Sequence, residues 1–213
     1  MLTRCPACAR EFAWEGRGCP ACGAAMRPRP LELLEQVDRA HQKRRGRSTA
    51  GAPQGPGGSP PAFSAALEDV RSLWNVGSMF RTADGAGFAE LYLCGITGCP
   101  PDPALTKVSL GAEDGVRWEH YRGVLEVLPR LAGAGVTIVA LERTSDSCAL
   151  AEALAGFAKP LCLLIGNEVE GLSPEALAAA RLTCHLPMRG AKSSLNAAVA
   201  FGVAAYAVAE ALA

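Results

Sequence analysis

From residue 63 to residue 213 the sequence predicts an α/β domain with a mainly parallel sheet, preceded by a small metal-binding module. Three observations carry that prediction. Short apolar runs alternate with segments of helical period through residues 63–213. Cys5, Cys8, Cys19 and Cys22 fall into two Cys-x-x-Cys pairs within residues 1–26. Between these regions, residues 27–62 end in a stretch too rich in Gly, Pro, Ser and Ala to bury a core of its own.

The N-terminal pairs are near copies, Cys5-Pro-Ala-Cys8 and Cys19-Pro-Ala-Cys22. A tight Cys-x-x-Cys turn lets two thiolates reach one ion. Two such turns complete the four-sulfur shell of a structural zinc site, a zinc-ribbon-like knuckle. Iron is the next candidate, and two disulfides or a redox pair are the remaining readings. A closed four-thiolate shell leaves no open position for chemistry, so this module points to binding. Phe12 and Trp14 are candidates to cap the metal or to stack on a base.

In residues 27–62 a short helix is expected over Leu31–Ala40, followed by the basic cluster Lys43, Arg44, Arg45 and Arg47. The formal net charge of zero hides an asymmetry. Residues 1–50 carry ten Lys/Arg against five Asp/Glu, whereas residues 51–213 carry eleven against sixteen. A basic arm on a mildly acidic body suits a polyanionic partner; a solubilising tail is the plainer reading.

In the main domain the candidate strands are Glu90–Gly95, Val136–Leu141, Pro160–Ile165 and Leu182–Leu186. The candidate helices are Asn75–Ala86, Arg122–Ala132, Ala149–Ala155, Pro174–Ala180 and Ser194–Ala213. Nearly half the residues are apolar, 49%, ample for one core. No apolar run is long and pure enough for a membrane span, and MLTRCPACAR lacks the apolar segment of a secretory signal. A cytoplasmic protein is expected. Cys94, Cys99, Cys148, Cys162 and Cys184 then read as core thiols, and His41, His120 and His185 as surface or strand residues.

Three loops concentrate chemistry. NVGSMFRTADGAGF (75–88) opens an amphipathic helix, with Asn75 suited to its N-cap. Arg81 lies about 240° around that helix from Asn75, at about 100° per residue, so the two need not share a face. LLIGNEVEGLSPE (163–175) crowds Asn167, Glu168 and Glu170 at the end of a buried strand, where open α/β sheets bind ligands. LPMRGAKSSLNAAVAF (186–201) sets Ser193, Ser194 and Asn196 at the mouth of the most apolar helix. Neither a GxGxxG after a strand nor a Walker A sequence is present, which disfavours a dinucleotide or nucleoside triphosphate.

Together the loops resemble the SpoU/TrmH family of RNA ribose 2′-O-methyltransferases in the SPOUT superfamily. Asn75, Gly77, Arg81, Ala83 and Gly87 match its first motif; Gly166, Glu168 and Gly171 match the second. Leu186, Pro187, Met188, Gly190, Ser194, Leu195 and Asn196 match the third. The resemblance implies a SPOUT-type trefoil-knotted domain, usually dimeric, that uses S-adenosylmethionine to methylate a ribose 2′-hydroxyl of tRNA or rRNA. It further implies donor contacts at Gly166, Asn167, Leu186, Met188, Ser194 and Leu195, and catalytic work by Arg81, Asn75, Glu168 and Asn196. Family accounts make the residue matching Arg81 a base. A guanidinium stays protonated, so here it reads as a clamp on phosphate or hydroxyl, reaching the donor of a neighbouring subunit. The knuckle and basic cluster lie outside the match and read as an RNA grip, with protein docking as the competitor. A catalytically silent knotted RNA-binding protein and a base-methylating SPOUT enzyme are the alternatives.

Overall fold

The computed structural model describes residues 2–4, 11–13 and 59–213. The zinc, linker-helix and basic-cluster expectations therefore lie outside the described residues, Cys5, Cys8, Cys19 and Cys22 included. Strands β1 (Leu2–Arg4) and β2 (Glu11–Ala13) pair antiparallel, Leu2 opposite Ala13.

In the main domain the order is β3 (Phe63–Glu68), α1 (Leu73–Ala86), β4 (Glu90–Cys94), α2 (Pro103–Ser109), α3 (Ala112–Gly115) and β5 (Arg117–Tyr121). Then come α4 (Leu128–Gly133), β6 (Thr137–Leu141), β7 (Cys148–Ala149), α5 (Leu150–Ala153), β8 (Leu161–Ile165), α6 (Pro174–Ala179), β9 (Leu182–His185) and α7 (Ala197–Ala211). Seven strands form one parallel sheet in the order β5-β4-β3-β8-β6-β9-β7. The expected α/β class holds.

Alternation along each strand builds two cores. Ala65, Leu67, Leu91, Leu93, Val139, Leu161, Leu163 and Ile165 face α1 and α7. Ala66, Tyr92, Cys94, Ile138, Ala140, Cys162 and Leu164 face α4 and α6. This is the period-two geometry of a sheet covered on both sides. On the α1/α7 side, Phe88 stacks on Phe63 at 5.4 Å and meets Phe201 edge-on at 5.6 Å, pinning the C-terminal helix. A Cβ at Gly77 would lie 2.6 Å from the Leu105 carbonyl oxygen, so Gly77 lets the backbones of α1 and α2 approach closely.

Several boundaries differ from expectation. β3 was absent from the expected strands because FSAALE has small residues and weak strand preference. Burial of all six positions on both faces overrides that preference. β5, RWEHY, mixes buried with half-exposed residues at the sheet edge and carries Arg117, Glu119 and His120, which masked it. The helix expected over Arg122–Ala132 breaks into a 3₁₀ turn, Val124–Glu126, and α4, with Pro129 in the first turn of α4. Residues 103–109, absent from the expected helices, form a helix capped by Asp102.

Cys94, Cys99, Cys162 and Cys184 are buried and Cys148 half-buried, all as free thiols. Burial pushes the Cys162 thiol up to about 12, which fits the inert core role expected of it. Among the described residues no helix is long and apolar enough to cross a membrane.

Candidate active site

The loops following β3, β6, β8 and β9 all lie at the carboxyl edge of the sheet. Asp69, in the left-handed region at φ 54°, turns the chain out of β3. Its carbonyl accepts from Asn167 Nδ2 at 2.7 Å, tying the β3 loop to the β8 loop. Asn167 Oδ1 in turn accepts from the amides of Val169 (2.8 Å) and Glu170 (3.1 Å), so this side chain shapes its own turn.

Ser72, and not Asn75, caps α1: its hydroxyl accepts from the Asn75 amide at 3.3 Å, two residues after the helix begins at Leu73. Freed from capping, the Asn75 side chain donates to Glu168 Oε1 at 2.9 Å and accepts from Asn196 Nδ2 at 3.1 Å. Asn196 is itself the cap of α7, its Oδ1 accepting from Ala198 (2.9 Å) and Val199 (3.3 Å). The helix thus starts three residues later than the expected Ser194. An asparagine that looked stranded in an apolar helix has all its bonds at the helix mouth. One relay, Asn196 to Asn75 to Glu168, joins all three motifs.

Glu168 is the end of that relay. Partial burial alone would raise its pKa. Hydrogen bonds from the Arg71 amide (2.9 Å), its own amide, the Asn75 side chain and the Ser72 amide (3.1 Å) outweigh this and hold it below the usual carboxylate range. It is an anion at neutral pH. Because the folded pKa is lowered, its stabilisation is complete above the unfolded value and is lost as pH falls through the folded one. Glu168→Gln is expected to cost about 1–2 kcal/mol at pH 7, the charged-bond scale discounted for exposure. The gap from wild type should close in acid. Denaturant unfolding at pH 7 and pH 3 reads both; an equal gap at the two values would refute the assignment.

Beside the relay lies a cleft of about 310 Å³. Gly166, Asn167, Glu168, Leu186, Met188, Ser194, Leu195 and Asn196 all line it, so nearly every expected site residue converges there. Gly166 is buried, and a Cβ on it would meet Gly171 and Leu172 backbone atoms at 2.4 Å. Leu195, 41% exposed, presents an apolar wall at the mouth.

Asn75 reaches the cleft only through its bonds to Glu168 and Asn196, and Arg81 stands apart. It is exposed on α1 and lines a separate hollow of about 490 Å³ with Asp84, Ser109, Leu110 and Gly111. Among the motif residues that hollow holds Arg81 alone, so the cleft is the candidate site. Within one chain Arg81 does not join Asn75, as the helical angle anticipated.

Sequence reading missed Glu142, Arg143 and His185 on the cleft wall, whereas Ser193, singled out at the helix mouth, does line it. The first two follow directly on the buried strand TIVAL, and the end of a parallel strand is the signal that would have found them. His185 has Nδ1 at 3.0 Å from Ser147 Oγ. It was read as a strand residue, and it does end β9.

A model of the SpoU rRNA methylase family matches residues 62–206. The chain belongs to this family. Its relatives include a tRNA (guanosine(18)-2′-O)-methyltransferase of Escherichia coli, 29% identical over 68% of this chain and 62% of that protein. A Thermus thermophilus enzyme of the same name is 31% identical over 67% of this chain and 72% of its own. Among solved structures, an AdoMet-bound rRNA methyltransferase from Sinorhizobium meliloti superimposes with a TM-score of 0.66 at 28% identity. The match covers 71% of this chain and 57% of that one. The chain thus spans roughly three-fifths of the E. coli protein's length. In this SpoU domain the three family motifs meet through the Asn196–Asn75–Glu168 relay, and the cleft lies on their shared side.

Proposed function

We propose that this chain is an S-adenosylmethionine-dependent methyltransferase acting on a ribose 2′-hydroxyl of tRNA or rRNA. The observation that carries the reading is the single cleft built from two of the three motifs and tied to the third by hydrogen bonds. The residues present suit the donor. Leu186, Met188 and Leu195 offer apolar surface for a purine, and ionised Glu168 lies beside a group that carries a sulfonium charge. When bound, the donor supplies an activated methyl group. The chain's part is to align the ribose hydroxyl in line with it and to steady the charge that develops. Asn75 and Asn196, held rigid by the relay, are the orienting groups, and Ser194 and Gly166 supply polar and backbone contacts.

Arg81 would act as a bidentate clamp brought by a second copy of the chain. The support is that Arg81 sits away from its own cleft on α1, while Val199 (52% exposed), Val203 (50%) and Tyr206 (50%) line up on the adjoining α7. Val199, Val203 and Tyr206 recur at helical spacing, a stripe suited to a two-fold helix pairing. On the same reading the segment from Leu186 to Asn196 threads the loop after β8 as the family's trefoil knot. The N-terminal cysteines hold zinc, the basic cluster grips RNA, and the protein works in the cytoplasm.

Digestion of total tRNA and rRNA to nucleosides, with and without the gene, tests the reading. Loss of one 2′-O-methylated nucleoside supports it; loss of a base-methylated one favours the base-methylating alternative. Unchanged nucleosides together with undetectable S-adenosylmethionine binding would favour the silent RNA-binding protein.

A further inference from the structure

The charges lining the cleft divide unequally once their partners are assigned. Glu168 is consumed by the Arg71 and Ser72 amides and by Asn75. Glu142 is consumed too: Oε1 accepts from the Arg143 amide at 2.9 Å and Oε2 from the Leu172 amide at 3.1 Å. Both acids therefore serve as braces for the loops that shape the cleft. His185 has Nδ1 engaged with Ser147. Arg143 is the lining guanidinium, and among the described residues it is paired with no carboxylate. Among those residues its side chain makes one bond, from Nη1 to the Ser193 carbonyl at 3.3 Å.

That bond is a weak use of the group. A guanidinium carries five N–H donors in a planar fork shaped for a carboxylate, and the pairing is charge-assisted at roughly 2.7–2.9 Å. A neutral carbonyl at 3.3 Å satisfies one donor poorly. The backbone of Arg143 is meanwhile held in place, because its amide donates to Glu142, whose other oxygen accepts from the Leu172 amide in the loop after β8. An exposed cationic head thus stands on an anchored base at the end of β6, facing the loop that carries the third motif.

We propose that Arg143 reads the carboxylate of the methyl donor's amino-acid end, exchanging the Ser193 carbonyl for it. The inference rests on the proposed function. A donor bearing a sulfonium and an ammonium finds ionised Glu168 and loop carbonyls in this cleft. Its one negative group finds Arg143. This makes Arg143 a specificity-determining residue for the carboxylate of the donor.

The test is calorimetric titration of the full-length protein with S-adenosylmethionine and with its decarboxylated analogue, which keeps both cationic groups. Wild type should prefer the carboxylated ligand by about tenfold, the scale of one partly solvated charged pair. Arg143→Ala should lose that preference by weakening S-adenosylmethionine alone, and Arg143→Lys should restore part of it. Equal weakening of both ligands would assign Arg143 to loop support and overturn the proposal. So would unchanged donor affinity with weakened binding of tRNA, which would make it a phosphate contact. Failure of wild type to bind either ligand would overturn the proposed function itself, an outcome distinct from both.

Discussion

Arg81→Ala is expected to reduce methyl transfer by on the order of 10²–10³-fold, the scale of one lost charge-stabilising group, with donor binding intact. The separation of effects follows from position. Arg81 is exposed on α1 and lines a hollow apart from the cleft, so its removal leaves the wall of Leu186, Met188 and Leu195 untouched. It has no role in the Asn196–Asn75–Glu168 relay, so folding should be unaffected. Methyl incorporation measured beside donor calorimetry distinguishes this from a binding defect. A mixed dimer addresses the source of the residue. Pairing an Arg81→Ala subunit with one whose cleft is filled by Leu195→Trp should restore one working site if the arginine acts across the interface. An inactive mixed dimer would place Arg81 in its own subunit's site, and full activity of Arg81→Ala alone would remove it from the reaction.

Gly166→Ala is expected to destabilise the domain by about 3 kcal/mol and to abolish donor binding. A new Cβ would lie 2.4 Å from both the Gly171 carbonyl carbon and the Leu172 amide nitrogen. Those are backbone atoms with no rotamer to turn aside, so relief requires the loop after β8 to move, placing the cost at the upper end of overpacking. That movement would break the Asn167–Gly171 bridge and the Leu172 bond to Glu142, both of which shape the cleft. Thermal unfolding and donor titration of the same variant give the two readouts. Wild-type affinity with wild-type stability would show that the loop accommodates a methyl group at no cost.

What was legible in the sequence depended on how local the cause was. The family resemblance placed Gly166, Glu168, Leu186, Met188, Ser194, Leu195 and Asn196 together; the first four sit within three residues of the ends of β8 and β9, which share one sheet edge, and the last three at the mouth of α7. The expected cap at Asn75 and the expected helix start at Ser194 were both displaced, because neighbouring polar residues compete to start a helix and only packing chooses. Ser72 takes the first cap, which leaves Asn75 for the relay. β3 was illegible for a related reason. Ser64, Ala65 and Ala66 carry no strand preference of their own, and it is burial between β4 and β8 that makes them a strand.

The amino-acid order by itself determined the α/β class, the motif residues and the separation of Arg81 from Asn75 around one helix. The class and the helical separation follow from periodicity along the chain, which neighbouring residues fix through backbone geometry, and the motif residues follow from the family resemblance. Only the tertiary structure decided the partners of Glu168, the shared relay and the exposed guanidinium of Arg143. Each of those joins residues more than 45 positions apart, and such contacts exist only once the sheet has brought its strand ends together.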